Sequence, residues 1–179
     1  MENHRAPLNV NLALLIDYTD WERQKWHDWL RRHGDAVLKT SIGEHGDGRF
    51  KIVGDYIKHV FSAEKRYIDR LSGKALTETG SMPSDNIEAL FQFGSQSRND
   101  LKRFVEDFPD QEWDAPQEFT IVNSAITVTP RKILIHIVLH EIRHWAQIAT
   151  LFRLNGLTGE FHDFLFSPVL GGELKRAAS

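Results

Sequence analysis

Residues 136–147 read HIVLHEIRHWAQ, and three of the chain's nine histidines, His136, His140 and His144, recur in them at every fourth position. On an α-helix a spacing of four is slightly more than one turn, so the three imidazoles stand in a row along one face. Apolar residues such as Ile148 share that side of the helix, so the row borders the core. The row indicates either a metal site or histidines that are hydrogen-bonded within a core.

Four segments of the chain carry apolar residues at spacings of three and four, the pattern of amphipathic helices. The predicted helices span residues 8–32, 50–72, 84–105 and 130–155. Gly34 predicts the end of the first helix. Thr129 and Pro130 predict the start of the fourth, and Asn155 with Gly156 predicts its end.

The connections around the third helix carry weaker signals. Ser84 or Asp85 is the predicted N-cap of that helix, with Glu88 as a capping-box partner. Residues 107–128 hold two prolines and the alternating stretch EFTIVNSAITVT, which predicts a long connection with a short hairpin. A short helix or turn is expected at 161–166.

Four long amphipathic helices in 179 residues predict an all-α fold, an up-and-down four-helix bundle with a crossover connection before the fourth helix. The sequence shows no internal repeat, low-complexity tract or linker. We therefore expect a single domain over residues 1–179.

Composition narrows the partners. The net charge is -3, with 22 basic and 25 acidic residues mixed along the chain, so neither nucleic acid nor an anionic membrane is a predicted partner. There is no cysteine, which excludes disulfides, cysteine-ligated zinc and a cysteine nucleophile. No run of about 18 apolar residues occurs. A soluble, cytoplasmic protein is the expectation.

Helix geometry limits how the histidine row can bind a metal. Residues four apart lie about 6 Å apart along the axis, so one ion can take only two neighbouring histidines of the row. Both registers, His136 with His140 or His140 with His144, satisfy that spacing. A further ligand must come from a facing helix, and His59, in YIKHVFSAEKRYI of the second predicted helix, is the candidate. Metal affinity is expected to fall as the pH drops through about 6.5, the usual histidine pKa.

At these residues the sequence resembles the DinB/YfiT-like family of four-helix-bundle metalloproteins. The similar stretches are YTDWERQKW in the first helix, HVFSAEKRYI in the second and HEIRHWAQI in the fourth, and the resemblance covers nearly the whole chain. It implies a DinB-like metalloenzyme fold and one divalent ion, zinc or nickel, held by His59, His140 and His144. It leaves His136 as a neighbour of the site that is not a ligand.

The resemblance also implies an activity. Family members with a known reaction carry out thiol-dependent transfers or isomerisations, so we expect a low-molecular-weight thiol cofactor, a small-molecule substrate and a homodimer. The sequence departs from the family at Leu139, where an asparagine is common, and at Trp145, where an arginine is common. A metal-dependent hydrolase and a non-catalytic metal-binding stress protein are the alternatives. No catalytic residue is assigned.

Several polar residues near the histidines have two interpretations. Asp55, Glu64 and Glu141 are candidate general bases, but we favour solvated carboxylates or partners of an imidazole N–H. Gln147 is expected to form an interhelical hydrogen bond and Arg143 to be a surface charge.

The aromatic content of the first helix bears on association. Trp21, Trp26 and Trp29 fall on adjoining faces, more than one side of a bundle helix normally buries. We therefore predict that the homodimer forms through helices one and four or their neighbours.

Overall fold

The computed structural model describes residues 11–45, 48–121, 124–159 and 162–171. Its helices are α1 (Leu12–His33), α2 (Val53–Leu71), α3 (Ile87–Asp107) and α4 (Pro130–Leu154), and its strands β1 (Gln117–Ile121) and β2 (Ser124–Val128) form an antiparallel hairpin. The four-helix bundle is confirmed, as is the hairpin before α4. A short 3-10 turn occupies Phe164–Phe166. The predicted first helix began at residue 8, and its first residues lie outside the described ones, as does Phe161.

Local chemistry explains most helix ends. The Thr129 hydroxyl accepts a hydrogen bond from the backbone N–H of Lys132 at 3.2 Å, and the chain leaves α1 at Gly34 with a φ of 75°. The N-cap of α3 was predicted one or two residues too early. Asn86 is the cap, because its side chain accepts from the Ala89 N–H at 2.8 Å.

Pairs of contacting residues give the direction of each helix. Residue numbers rise together along α2 and α3 (Phe61–Phe91, Glu64–Arg98) and along α1 and α4 (Trp26–Trp145, Trp29–Phe152). They run in opposite directions along α2 and α4 (His59–His140, Tyr67–His136) and along α1 and α3 (His27–Glu88, Thr19–Arg98). The bundle therefore runs up, down, down, up. The crossover is the connection of residues 72–86, which joins the parallel α2 and α3. The crossover predicted before α4 was wrong, because the segment with the hairpin joins the antiparallel α3 and α4.

Two apolar clusters form the core. One, at the C-terminal ends of α1 and α4, includes Trp26, Leu30, Ile57, Phe61, Leu90, Trp145, Ile148 and Phe152. The other lies beside the hairpin and includes Ile16, Ile68, Leu71, Leu101, Phe119, Ile133, Leu134, Ile137 and Val138. Each helix also places a buried charged residue between the residues of the two clusters.

These four charged residues, Arg23, Glu64, Arg98 and Glu141, are buried and form what we call the ionic quartet. Arg23 Nη2 donates to Glu64 Oε2 and to Glu141 Oε2, each at 2.9 Å. Arg98 donates through Nη2 to Glu141 Oε2 at 2.6 Å and through Nε to Glu64 Oε2 at 3.1 Å. Because each residue comes from a different helix, the quartet joins all four helices at mid-height.

Two of the three tryptophans of α1 are buried within a single chain. Trp26 is fully buried and Trp29 is 2% exposed, both in the first apolar cluster, whereas Trp21 is half-buried. The argument for a homodimer from these rings is therefore weaker than the sequence suggested, and the dimer stays a prediction. Among the described helices, none is both long and apolar enough to cross a membrane.

Candidate metal centre

Three histidines meet on one side of the bundle. His59 comes from α2, and His140 and His144 come from consecutive turns of α4, which packs antiparallel to α2. The Nε2 atom of His140 lies 3.1 Å from Nε2 of His59 and 3.1 Å from Nε2 of His144. One ligand nitrogen from each residue lies within 4.8 Å of the others.

Ion-binding geometry offers a test of these distances. Imidazole nitrogens bind zinc at about 2.1 Å, so two of them on one ion lie about 3.0–3.4 Å apart. Both observed separations, 3.1 Å, fall in that range. Hydrogen bonding explains them less well, because a neutral Nε2 carries either a proton or a lone pair and His140 faces two rings with the same atom. The residues present therefore fit a shared divalent cation.

Gln147 determines how the His144 ring is oriented. Its amide oxygen accepts a hydrogen bond from Nδ1 of His144 at 2.6 Å. The proton of the neutral imidazole is thereby held on Nδ1, and the lone pair on Nε2 points into the cluster, as a metal ligand requires. The expected interhelical bond of Gln147 was wrong: the amide stays on its own helix, three residues from its partner.

Electrostatics keep His140 neutral. Burial, and then the neighbouring imidazoles of His144 and His59, lower the pKa of His140 to about 2. A neutral imidazole is the metal-binding form, so protons compete for this ligand far less than an ordinary histidine pKa implies.

His136 lies outside the cluster. Its side chain is exposed, and its Nε2 lies 3.2 Å from the hydroxyl of Tyr67. Burial lowers its pKa, and the nearby Arg143 adds to that effect. Of the two registers that spacing left open, the fold brings together the one with His144, because α2 crosses α4 at the level of His59.

The three candidate bases are all engaged elsewhere. Asp55 Oδ2 accepts from the backbone N–H groups of Lys51 and Ile52 at 3.0 and 3.2 Å, which caps its own helix. Glu64 and Glu141 belong to the ionic quartet. The sequence predicted solvated carboxylates or partners of an imidazole N–H, and for Glu64 and Glu141 this was wrong, because both are buried and paired with arginines.

Two depressions flank the histidines. One, of about 410 Å³, is lined by Tyr56, Arg143, Ala146, Gln147, Thr150, Leu151 and Leu154. The other, of about 320 Å³, lies between α4 and the hairpin and is lined by Tyr67, Ile121, Ile126, Val128, Lys132, Ile133 and His136. Each contains one basic residue. The sequence analysis predicted the hairpin from the alternating stretch at 118–128, but not that the hairpin forms a wall of this depression.

The fold and the cluster define a class: a four-helix-bundle protein whose three histidines could hold a metal ion. The chain belongs to the DinB family, whose model matches residues 1–170. A similar fold occurs in the crystal structure of a DinB-like protein from Bacillus cereus ATCC 10987, with a TM-score of 0.61 and 15% identity over 82% of this chain and 94% of that chain. A comparison with curated proteins finds no match.

Proposed function

We propose that the protein is a metal-dependent transferase that holds one divalent ion through His59, His140 and His144 and joins a low-molecular-weight thiol to a small electrophile. The observation that carries the proposal is the convergence of the three imidazoles, with Nε2 of His140 lying 3.1 Å from Nε2 of His59 and 3.1 Å from Nε2 of His144. A row of core histidines with no ligand would gain nothing from that arrangement, since lone pairs that face one another repel.

When bound, the ion supplies Lewis acidity, which lowers the pKa of a coordinated thiol or water. The three imidazoles bring no negative charge, so they do not neutralise that acidity. An all-imidazole set suits zinc and nickel, and cysteine is absent from the chain, so no thiolate can select a softer metal.

The flanking depressions provide places for two reactants. Arg143 and Lys132 each put a cation beside the histidines, where the carboxylates of a thiol cofactor can pair with it. The hairpin side is mostly apolar, lined by Ile121, Ile126 and Val128, which suits the body of an electrophile.

Two other functions are less well supported. A hydrolase of this kind needs a general base near the water that attacks, and Asp55, Glu64 and Glu141 are committed to a helix cap and to the ionic quartet. A thiol has a lower pKa than water, and so needs less help to ionise. A non-catalytic metal-binding stress protein has no need for two depressions beside the histidines.

Metal analysis of the untagged protein tests the ligand assignment. We expect about one divalent ion per chain in the wild type, almost none in His144→Ala and near-normal content in His136→Ala. His136→Ala is the matched control, because it removes an imidazole from the same face of α4. Equal loss in both variants, or loss only in His136→Ala, would refute the assigned register.

The reaction is tested with 1-chloro-2,4-dinitrobenzene as electrophile and a panel of thiols, including cysteine and glutathione. Thioether formation should require the metal, stop with chelator and resume when zinc or nickel is restored. Lys132→Ala or Arg143→Ala should raise the KM for the thiol with little change in kcat. Metal-dependent cleavage of esters or amides without any thiol transfer favours the hydrolase, and neither activity favours the stress protein.

Association and location remain proposals. We propose a homodimer that includes α4, because Ile135 and Leu139, one turn apart, expose 40% and 56% of their surface. Light scattering across micromolar concentrations should give twice the chain mass, and a constant monomer mass would refute the dimer. Cytoplasmic placement stays a prediction.

A further inference from the structure

A second cavity, of about 660 Å³, lies on the side of α4 that faces away from the metal centre. On a helix with about 100° per residue, Ile142 and Ala149 project roughly 140–180° from His140 and His144. The cavity lies between α1, α4 and the chain after α4, and its walls include Glu22, Trp26, Trp145, Ala149 and His162. Its size is typical of small-molecule sites.

Glu22 gives this cavity its chemistry. The residue is only 5% exposed, and its Oε2 atom is buried with no hydrogen-bond partner among the described residues. The Trp26 indole N–H faces the carboxyl and lowers its pKa in part, without reaching hydrogen-bonding geometry. Burial and the nearby Glu141 outweigh that effect and raise the pKa of Glu22 to about 8. A buried carboxyl without a partner is costly, and a ligand that supplies a donor removes the cost.

Several other walls of the cavity are aromatic or acidic. The rings of Trp26 and Trp145 stack with centroids 5.4 Å apart, and the His162 ring stacks on Trp26 at 4.2 Å. Tyr18 donates its hydroxyl hydrogen bond to the backbone carbonyl of His162 at 2.6 Å, which ties the chain after α4 to α1. Asp163 adds a second carboxylate at the edge. Aromatic faces and carboxylates both attract a cation.

We propose that this cavity binds an organic amine, with the ammonium group on the carboxylate of Glu22 and the apolar body against Trp26 and Trp145. The site is separate from the metal centre and does not depend on the proposed transferase activity. Arg153 is a cation at the rim of the cavity. It is exposed and donates a hydrogen bond to the hydroxyl of Thr150 at 3.0 Å, not to Glu22.

Binding of an ammonium is coupled to ionisation of Glu22. The charge that acts on this carboxyl is Glu141 from α4, which is itself paired with Arg23 in the quartet. Glu22 and Asp163 both act on the neighbouring Tyr18 hydroxyl. Near pH 7 the free carboxyl holds its proton, because its pKa is about 8. An ammonium partner favours the carboxylate, so the proton passes to the buffer when the amine binds.

The test is calorimetric titration with benzylammonium at pH 7, in chelator, in two buffers of different ionisation enthalpy. We expect the wild type to bind benzylammonium with proton release. Glu22→Gln should bind it at least about tenfold more weakly and without proton release. Benzyl alcohol is the neutral probe, and its binding should be weaker and unaffected by Glu22→Gln. Glu88→Gln is the matched control. It changes an exposed carboxylate on α3 and should leave the amine affinity unchanged.

Two further variants separate amine binding in this cavity from effects of misfolding and of metal binding. Ala149→Leu narrows the same cavity and should also weaken benzylammonium, while His144→Ala should not change its affinity. Circular dichroism and urea unfolding verify that each variant is folded. Equal affinity for the amine and the alcohol, or an unchanged affinity in Glu22→Gln and Ala149→Leu, overturns the proposal.

Discussion

Helix α4 carries two polar clusters side by side, and they are built on opposite principles. His140 and His144 face His59 of α2, and His140 is half-buried. Glu141, which follows His140 in the chain, turns inward and is 1% exposed between two arginines. A buried charge must be paired permanently, because losing its partner leaves a desolvated ion. Neutral imidazoles at the surface of the core can gain or lose a ligand without that penalty.

The comparison teaches which polar residues of a bundle are available for chemistry. Glu64 and Glu141 look like catalytic carboxylates in the sequence. In the structure, their oxygens accept hydrogen bonds from arginines, and Glu141 also accepts one from the Trp145 indole N–H at 3.1 Å. The histidines, in contrast, direct lone pairs toward a common point. Full pairing with opposite charges is characteristic of a structural cluster, and imidazole nitrogens that converge on one point are characteristic of a metal site.

Breaking the quartet should have the largest effect on stability. Glu141→Gln leaves Arg23 and Arg98 with a neutral partner in the core, and we expect unfolding to become easier by about 3–5 kcal/mol. Urea unfolding at pH 7 measures the change. Glu88→Gln, in an exposed pair with Arg31, should leave the urea midpoint close to that of the wild type. A similar small change in both variants would show that the quartet is dispensable.

Acid should remove part of the same stabilisation. Arg23 and then Arg98 outweigh burial and lower the pKa of Glu141 below its usual value. For a carboxyl with a lowered folded pKa, the stabilisation is fully present above the unfolded pKa of about 4.3 and is lost as the pH falls through the folded pKa. The urea midpoint of the wild type should therefore drop below pH 4, more steeply than that of Glu141→Gln. Parallel curves for the two proteins would contradict this prediction.

Metal should stabilise the histidine side without involving the quartet. Zinc at 100 times its dissociation constant should add about 2.7 kcal/mol to the free energy of unfolding. His144→Ala should abolish this increment and His136→Ala should keep it, as measured by urea unfolding with zinc and with chelator. An increment that survives in His144→Ala would place the ion elsewhere.

The smallest expected effect concerns the orientation of a single ring. Gln147→Leu removes the acceptor for Nδ1 of His144 and should weaken zinc binding by about 10–100-fold. Competition titration with a chromophoric chelator measures that change. The urea midpoint of the metal-free protein should hardly move, because Gln147 is exposed. Unchanged affinity would show that the amide has no role in orienting the ligand.

Much of the fold was predictable because its signals are local. The apolar period, the Thr129 cap and the Gly34 end each depend on residues within one or two turns, and the structure confirms them. The N-cap of α3 failed at this same scale. Ser84, Asp85 and Asn86 are all good caps, and only the backbone conformation at Asn86 selects among them.

The site was predictable in part. Spacing on α4 identified the histidine row, and the need for a ligand from a facing helix made His59 the candidate. The family resemblance selected His144 over His136, and the fold brings His59 and His144 within reach of His140. The sequence did not predict the lowered pKa of His140, the burial of the Glu22 carboxyl or the wall that the hairpin forms beside α4. Each depends on how strongly a group is buried and on which neighbours lie across the bundle.

By itself, the sequence determined the number of helices, most of their ends and the four-residue period of the histidines, because backbone hydrogen bonds and side-chain faces repeat within a turn. The tertiary structure alone decided which histidine stays outside the cluster, that α2 and α3 run parallel, and that Glu141 pairs with Arg23, 118 residues away in the chain. No short-range pattern encodes that pairing. It forms because a charge in a desolvated core is tolerated only where the packing of four helices brings an opposite charge against it.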